Sequence, residues 1–349
     1  MSEKMREIRE GRKLQITGGS TYILSLPKKW VIQMGLEKGS RLDLVMQNDG
    51  SIVMVPEGLK RTEKTIEAII EVASSEEPDS VIRKIVSAYL VGYNVIFLRA
   101  KNQRLDLTHR NAVKDFARKM LVGTEILSDS AKEVVMKVLL SYPELSVQSA
   151  LRRMCIISSS MHEDAITALK ELDRGLAQEV IAMDDEVDRF GLYIIRQLKA
   201  AVEDEKIIKE IGLSTRRDCL GYRIITKVVE RTADHAVEIA ENILMLEKPL
   251  ETELFQRIES MSTSAISIFN EAAETLFKRD FQLANKIVQK AKQAALLRKE
   301  LTKSILKRTD IGEVSSLSLI IESITRAAEY ASDIAEIVLN LNVDQILTA

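Results

Sequence analysis

Seven acidic side chains stand at spacings that could do chemistry. Glu230, Asp234, Glu238 and Glu241, in the stretch VVERTADHAVEIAENI, recur every three or four residues. On a helix that spacing stacks them in one line, with His235 just off it. Asp184, Asp185 and Asp188, in MDDEVDR, form a second acidic cluster. Like charges so placed repel each other at neutral pH, and a bound cation would turn that repulsion into stabilisation. Carboxylates are hard oxygen ligands, so without Cys they suit Mg, Mn, Ca or Fe better than Zn, and acids from two helices can bridge more than one ion. The expected ligands are Asp184, Asp188, Glu230 and Asp234, with Asp185 and Glu238 next in line. The competing reading is a solvated helix edge, because charge rows are usually surface. Lys227 and Arg231 are the nearby cations, too few to neutralise seven carboxylates.

Other reactive types point away from catalysis. The only histidines are His109, His162 and His235, without an ExxH arrangement, so His235 reads as a helix-surface or interhelical hydrogen-bonding residue rather than a ligand. Cys155 and Cys219 lack a CxxC partner and read as reduced core thiols. Residues 60 to 140 show no Gly-rich phosphate loop or nucleophile elbow, and the carboxylate row lacks a convergent pocket, a nucleophile or a paired acid and base on loops, which argues against a metal-dependent hydrolase and for a non-enzymatic protein.

A second candidate site is basic. Met1 to Pro56 holds nine Lys or Arg against six Asp or Glu, near +3, which leaves the remainder near −5 in a chain of formal charge −2. Arg6, Arg9, Arg12, Lys13, Lys28 and Lys29 cluster around two hairpin ends and a helix start, where they could meet a DNA phosphate backbone. The alternative is an ordinary solubilising surface interspersed with Glu3, Glu7 and Glu10. Trp30, the one tryptophan, reads as a core anchor, and nothing supports single-strand stacking.

The elements that must position these sites follow from periodicity. A chain of 349 residues implies two or three domains, and few aromatics with abundant Ala, Leu, Ile, Glu and Lys favour long packed helices. Residues 12 to 56 read as strand, strand, helix, strand, strand, with Pro27 at the helix start, Gly35 at its end and a hairpin around Asn48-Asp49-Gly50. Two hairpins and one helix bury little, so this unit is expected to dimerise. Residues 60 to 140 read as β-α-β-α-β-β, a small α+β layer with two helices on one face of a sheet. After Pro143 the pattern is helical, with breaks near Gly212, Pro249 and Gly312.

That helical part repeats itself. LAQEVIAMDDEVDRF (176–190) aligns with LANKIVQKAKQAALL (283–297) at an offset of 107, and TKVVERTADHAVEIAENIL (226–244) with IESITRAAEYASDIAEIVL (321–339) at 95. One connection in the second copy is therefore about twelve residues shorter. Each copy holds three long helices, and two copies packed as one elongated bundle would bury them. The N-terminus MSEKMREIREGRK lacks an apolar signal region and no apolar run approaches a membrane span, so a cytoplasmic location without stable membrane insertion is expected.

The repeated helices, above all ERTADHAVEIAENI, resemble the PhoU family of phosphate-uptake regulators, with its E/DxxxD motif on tandem three-helix bundles. The stretch TGGSTYILSLPKKWVIQMGLEKGSRLDLVMQNDGSIVMVPE is similar to the AbrB/MazE-type swapped-hairpin DNA-binding domain, and the combination with an α+β insert resembles archaeal PhoU-like regulators. The implied fold is mostly α with an α+β N-terminal part: residues 1–57 a DNA-binding and dimerisation domain, 58–140 an α+β domain, 141–248 and 249–349 two three-helix repeats. The implied function is a DNA-binding transcriptional regulator of phosphate homeostasis with a metal-binding helical sensor (Fe, Mn or Mg). The alternative is an accessory protein that contacts a phosphate ABC transporter, its ATPase or a sensor kinase directly. Carried over, the motif falls on Glu230 and Asp234 of the third helix of repeat 1 and on Asp184 and Asp188 of its first. The second-copy equivalents are Thr325 and Glu329, Ala291 and Ala295, which leaves that site lost or reduced to Glu329 and Asp333.

Overall fold

The computed structural model describes residues 10–46, 50–57, 66–101, 104–139, 145–306, 308 and 310–347. The chain divides into two compact units, Met1–Lys64 and Thr65–Ala349.

The first unit holds β1 (Gln15–Thr17) paired antiparallel with β2 (Thr21–Ile23), then α1 (Lys28–Gln33), then β3 (Leu42–Met46) paired antiparallel with β4 (Ile52–Pro56). Gly50 takes a φ of +81° at the second hairpin, as its turn requires; Asn48 and Asp49 lie outside the described residues. Pro27 is the one buried residue described here, while Ile16, Tyr22, Leu44 and Met46 are each more than 60% exposed. Trp30 is half-buried rather than a core anchor, because two thin hairpins enclose no core for it.

The second unit opens with β5 (Glu67–Val72), α2 (Pro78–Val91), β6 (Val95–Ala100), α3 (Leu107–Met120), β7 (Thr124–Asp129) and β8 (Glu133–Val138). The sheet order is β5-β6-β8-β7; β5 and β6 run parallel through the α2 crossover, and the other pairs are antiparallel. Ile96, Leu98, Val134 and Met136 bury against Val81, Ile85, Tyr89 and Val113 from the two helices, the expected layer. Both α2 and α3 also pack on α5 of the helical part, so layer and bundle share one unit.

Six long helices follow: α4 (Val147–Glu171), α5 (Arg174–Glu203), α7 (Asp218–Met245), α8 (Thr252–Lys278), α9 (Phe281–Ile305) and α10 (Ile311–Leu341), with the short α6 (Glu205–Glu210) between α5 and α7. The insertion of α6 and its loop accounts for most of the difference in repeat length. Asp184 and Asp188 therefore sit on the second long helix of their repeat, not the first, because α4 precedes them. The pseudo-symmetry extends to the backbone. Leu172 and Arg279, 107 apart, are the two non-glycine residues with positive φ, 52° and 54°, among the described residues. Each ends a helix, and Asp173 and Asp280 immediately after them cap α5 and α9 by accepting backbone N–H bonds. One continuous core of Ala, Ile, Leu and Val runs through all six helices. Among the described residues no helix is long and apolar enough to cross a membrane.

Candidate functional site

The acidic row of α7 runs along the edge of a buried stripe of mostly small residues that lets α7 pack closely on its neighbours. Val229, Ala233, Ala236, Ala240 and Ile243, three or four residues apart in the sequence, are all fully buried and form one stripe. Gly191 of α5 continues this close approach: a Cβ there would stand 3.6 Å from Met154 Cε and 3.8 Å from Glu230 Oε2. The acids flank the stripe: Glu230 and Glu238 are half-buried, and Asp234 and Glu241 exposed.

Asp184 and Asp188 of α5 meet Glu230 and Asp234 of α7 electrostatically. Desolvation first, then the charge of Glu230, Asp184 and Asp234, pushes the Asp188 carboxyl up to about 7. Desolvation, then Asp234, Asp185 and Glu230, pushes Asp184 up to about 6. Asp234 is raised by desolvation and by Glu230, although its side chain is solvent-exposed overall, so mutual repulsion is the firmer part of that shift. Lys227 opposes all three shifts and pairs directly with Glu230. Asp184 Oδ1 is buried without a hydrogen-bond partner, a costly state for a carboxylate.

The two residues expected next in line are engaged elsewhere. Asp185 pairs with Lys119, from the last turn of α3. Glu238 accepts from Ser323 of α10 at 2.8 Å and lies 2.9 Å from His235 Nδ1, while His235 Nε2 is 3.4 Å from the Tyr330 hydroxyl. His235 is thus an interhelical hydrogen-bonding residue tying α7 to α10. Nothing local in the sequence flags Lys119, Ser323 or Tyr330; each reaches the site from a distant segment.

The donors suit a hard cation in kind: all oxygen, mutually repelling, one orphaned. Among the described residues, however, no three Asp, Glu, His or Cys side chains already stand in a metal-holding arrangement. Ion binding would require the carboxylates to close in from their present rotamers. An open groove of about 690 Å³ between α4 and α8, with Glu163, Thr167, Glu259 and Asn270 in its walls, includes none of these site residues.

Repeat 2 lacks the cluster. Thr325 is buried and donates to the Ile321 carbonyl at 2.7 Å, and Ala291 is buried; the Ala295 side chain lies outside the described residues. Arg326 bridges Glu322 and Glu329, and Arg298 also binds Glu322. Asp333 is raised by desolvation and by Glu336 and Glu329, with Arg231 opposing.

Of the basic candidates, Arg12, Lys13, Lys28 and Lys29 are exposed, with Lys28 and Lys29 opening α1 and Arg12 ion-paired to Glu10 at 2.6 Å. Arg6 and Arg9, with Glu3 and Glu7, lie outside the described residues. Cys155 and Cys219 are buried free thiols, and burial pushes Cys155 up to about 12, which leaves it inert.

Fold and site together define a tandem three-helix-bundle protein with a carboxylate cluster in one repeat. Residues 151–243 and 258–338 match the PhoU domain, and residues 15–62 match the MazE antitoxin family, described as antidote-toxin recognition MazE. The chain belongs to the PhoU domain family, carrying two copies of the domain behind an N-terminal MazE/AbrB-like one. It is similar to a phosphate-specific transport system accessory protein PhoU homolog of Thermotoga maritima, 22% identical over 54% of this chain and 83% of the relative. A Borreliella burgdorferi protein of the same description is 28% identical over 36% of this chain and 58% of the relative. The crystal structure of the PhoU regulatory protein from Streptococcus pneumoniae shares the fold at a TM-score of 0.50 and 20% identity, over 58% of this chain and 96% of that one.

Proposed function

We propose that the protein is a non-enzymatic, cytoplasmic regulator of phosphate uptake that binds DNA as a homodimer and carries a metal-binding sensor in its first helical repeat. The observation that carries this reading is the fusion of two PhoU domains to a MazE-like domain on one chain. The relatives named as phosphate transport accessory proteins supply the pathway. The exposed apolar hairpins of the first unit support dimerisation, because a second copy would cover side chains that this copy leaves in water. Lys28 and Lys29, with Arg12 and Lys13, would then face phosphates from both protomers. Asp184, Asp188, Glu230 and Asp234 would hold Fe, Mn or Mg, which would neutralise the charge those carboxylates now direct at each other.

The test is a gel shift of the full chain on the promoter of a phosphate-transporter operon. Binding that weakens steeply with salt and is lost in Lys28→Glu/Lys29→Glu supports the reading; no binding at low salt overturns its DNA part. The second reading, direct contact with a transporter ATPase or sensor kinase, is favoured by the descriptions of the relatives. It predicts co-purification with those proteins by a chain lacking residues 1–64.

A further inference from the structure

The groove between α4 and α8 lies on the seam between the two repeats. At one end of that seam Arg152 of α4 donates to Glu274 of α8 at 2.8 Å, and its guanidinium lies 4.0 Å from the centre of the Phe277 ring. Further along, Ser159 donates to Asn270 at 2.6 Å. Numbering rises on α4 as it falls on α8, so the two helices run antiparallel. They are also equivalent elements of the two repeats, offset by the 107 residues that separate Leu172 from Arg279. Each contact across the seam therefore has a counterpart with the repeats exchanged. The counterpart of Arg152–Glu274 is Glu259–Thr167, and that of Ser159–Asn270 is Ile266–Glu163. Neither counterpart is joined. The Thr167 hydroxyl donates to its own helix, at the Glu163 carbonyl, and the Ile266 side chain has no polar atom. Glu163 and Glu259 have no cationic partner among the described residues. All four of these residues line the groove. The groove is thus the half of the seam that the second repeat does not close.

Charge and shape say what would close it. The other acids of the groove are already met, Glu271 by Lys290 and Glu274 by Arg152 and Lys278, so the unbalanced charge falls on Glu163 and Glu259. The floor is small and apolar, with Ile166, Ser262 and Ile266 buried. From Glu259 to Glu274 the groove follows α8 for about 22 Å, four turns of helix. We propose that this groove docks a cationic amphipathic helix of a partner protein. Its Lys or Arg side chains take at Glu163 and Glu259 the place that Arg152 takes at Glu274, and its small apolar residues face Ile166, Ser262 and Ile266. The inference rests on the direct-contact reading above and supplies the surface and the chemistry of that contact.

The experiment follows the fluorescence anisotropy of a labelled peptide about four helical turns long, Lys on one face and Ala and Leu on the other, as the full chain is added. Thr167→Glu/Glu259→Arg copies the closed end of the seam onto the open one and is expected to weaken binding about tenfold. Glu300→Gln makes the same change in net charge on the exposed side of α9 and should leave binding unchanged. Glu163→Gln/Glu259→Gln, which alters charge without bulk, should weaken binding about two- to fivefold. A peptide of the same composition with a central Pro, which cannot form the helix, should bind at least as weakly as the closed variant does. No binding of the Lys peptide by the wild type at low salt, equal affinity in all four proteins, or equal binding of the Pro peptide overturns the docking groove. Because the probe is a synthetic helix, such a failure leaves the co-purification test of the direct-contact reading standing; failed co-purification with a bound peptide would instead count against the named partners alone.

Discussion

The two helical repeats share their fold down to individual backbone angles, yet they differ in how far their acids are paired. In repeat 1, Asp184, Asp188, Glu230 and Asp234 press on one another, with Lys227 the one cation that opposes all the resolved shifts. In repeat 2, Arg326 and Arg298 neutralise Glu322 and Glu329, and buried Thr325 and Ala291 replace two of the acids. The interior differs too. His162 is fully buried in repeat 1, with Nε2 donating to the Thr232 carbonyl at 2.8 Å and Nδ1 unpartnered, where Phe269 stands at the same 107-residue offset in repeat 2. A three-helix repeat therefore needs neither the acids nor the histidine to fold, and repeat 1 keeps both at a cost in stability.

The largest test of that contrast is acid. Burial lowers the His162 imidazole from 6.5 to about 4, so the folded protein holds it neutral while the unfolded chain protonates it. Its contribution is present above pH 6.5 and is lost as pH falls toward 4, about 3 kcal/mol in all. His162→Phe, which copies repeat 2, should flatten that limb of the stability–pH curve measured by urea unfolding. Asp184 and Asp188 have the opposite sign. Their raised carboxyls favour the folded state below pH 3.8, and that advantage is lost as pH rises through about 6 and 7.

Asp188→Asn should accordingly stabilise the ion-free protein by about 1–2 kcal/mol at pH 8 and abolish any thermal gain from Mn(II). Glu329→Gln in repeat 2 should leave such a gain intact. Gly221 lies where α7 crosses α10, and a Cβ there would fall 2.9 Å from Leu341 Cδ2 and 3.1 Å from Ile337 Cγ2. Gly221→Ala should cost about 1 kcal/mol by chemical denaturation, the overlap outweighing the gain in helix propensity. Arg326→Ala has the smallest expected effect, about 0.5 kcal/mol lost at low salt and nothing measurable at high salt. It would make the acids of repeat 2 behave a little more like those of repeat 1.

The alanine stripe, the two copies and the β-α-β-α-β-β order were legible because each is a local periodicity. The acids could be placed on the edge of α7 for the same reason. Two expectations needed adjustment: α4 makes the Asp184 helix the second of its repeat, and Trp30 has no core of its own unit to anchor. Glu238 illustrates the limit best. Its spacing puts it in line with Glu230 and Asp234, but Ser323, 85 residues on, and His235 draw it to α10.

Sequence by itself determined that long helices form, that they repeat, and that one repeat carries unbalanced acids along an edge, since these follow from residue type and a 3.6-residue period. Only the tertiary structure decided which charges meet. It set Asp188 against Glu230, gave Asp185 to Lys119 and buried Asp184 Oδ1 without a partner, because Coulomb energy and desolvation depend on distances between segments that no local pattern records.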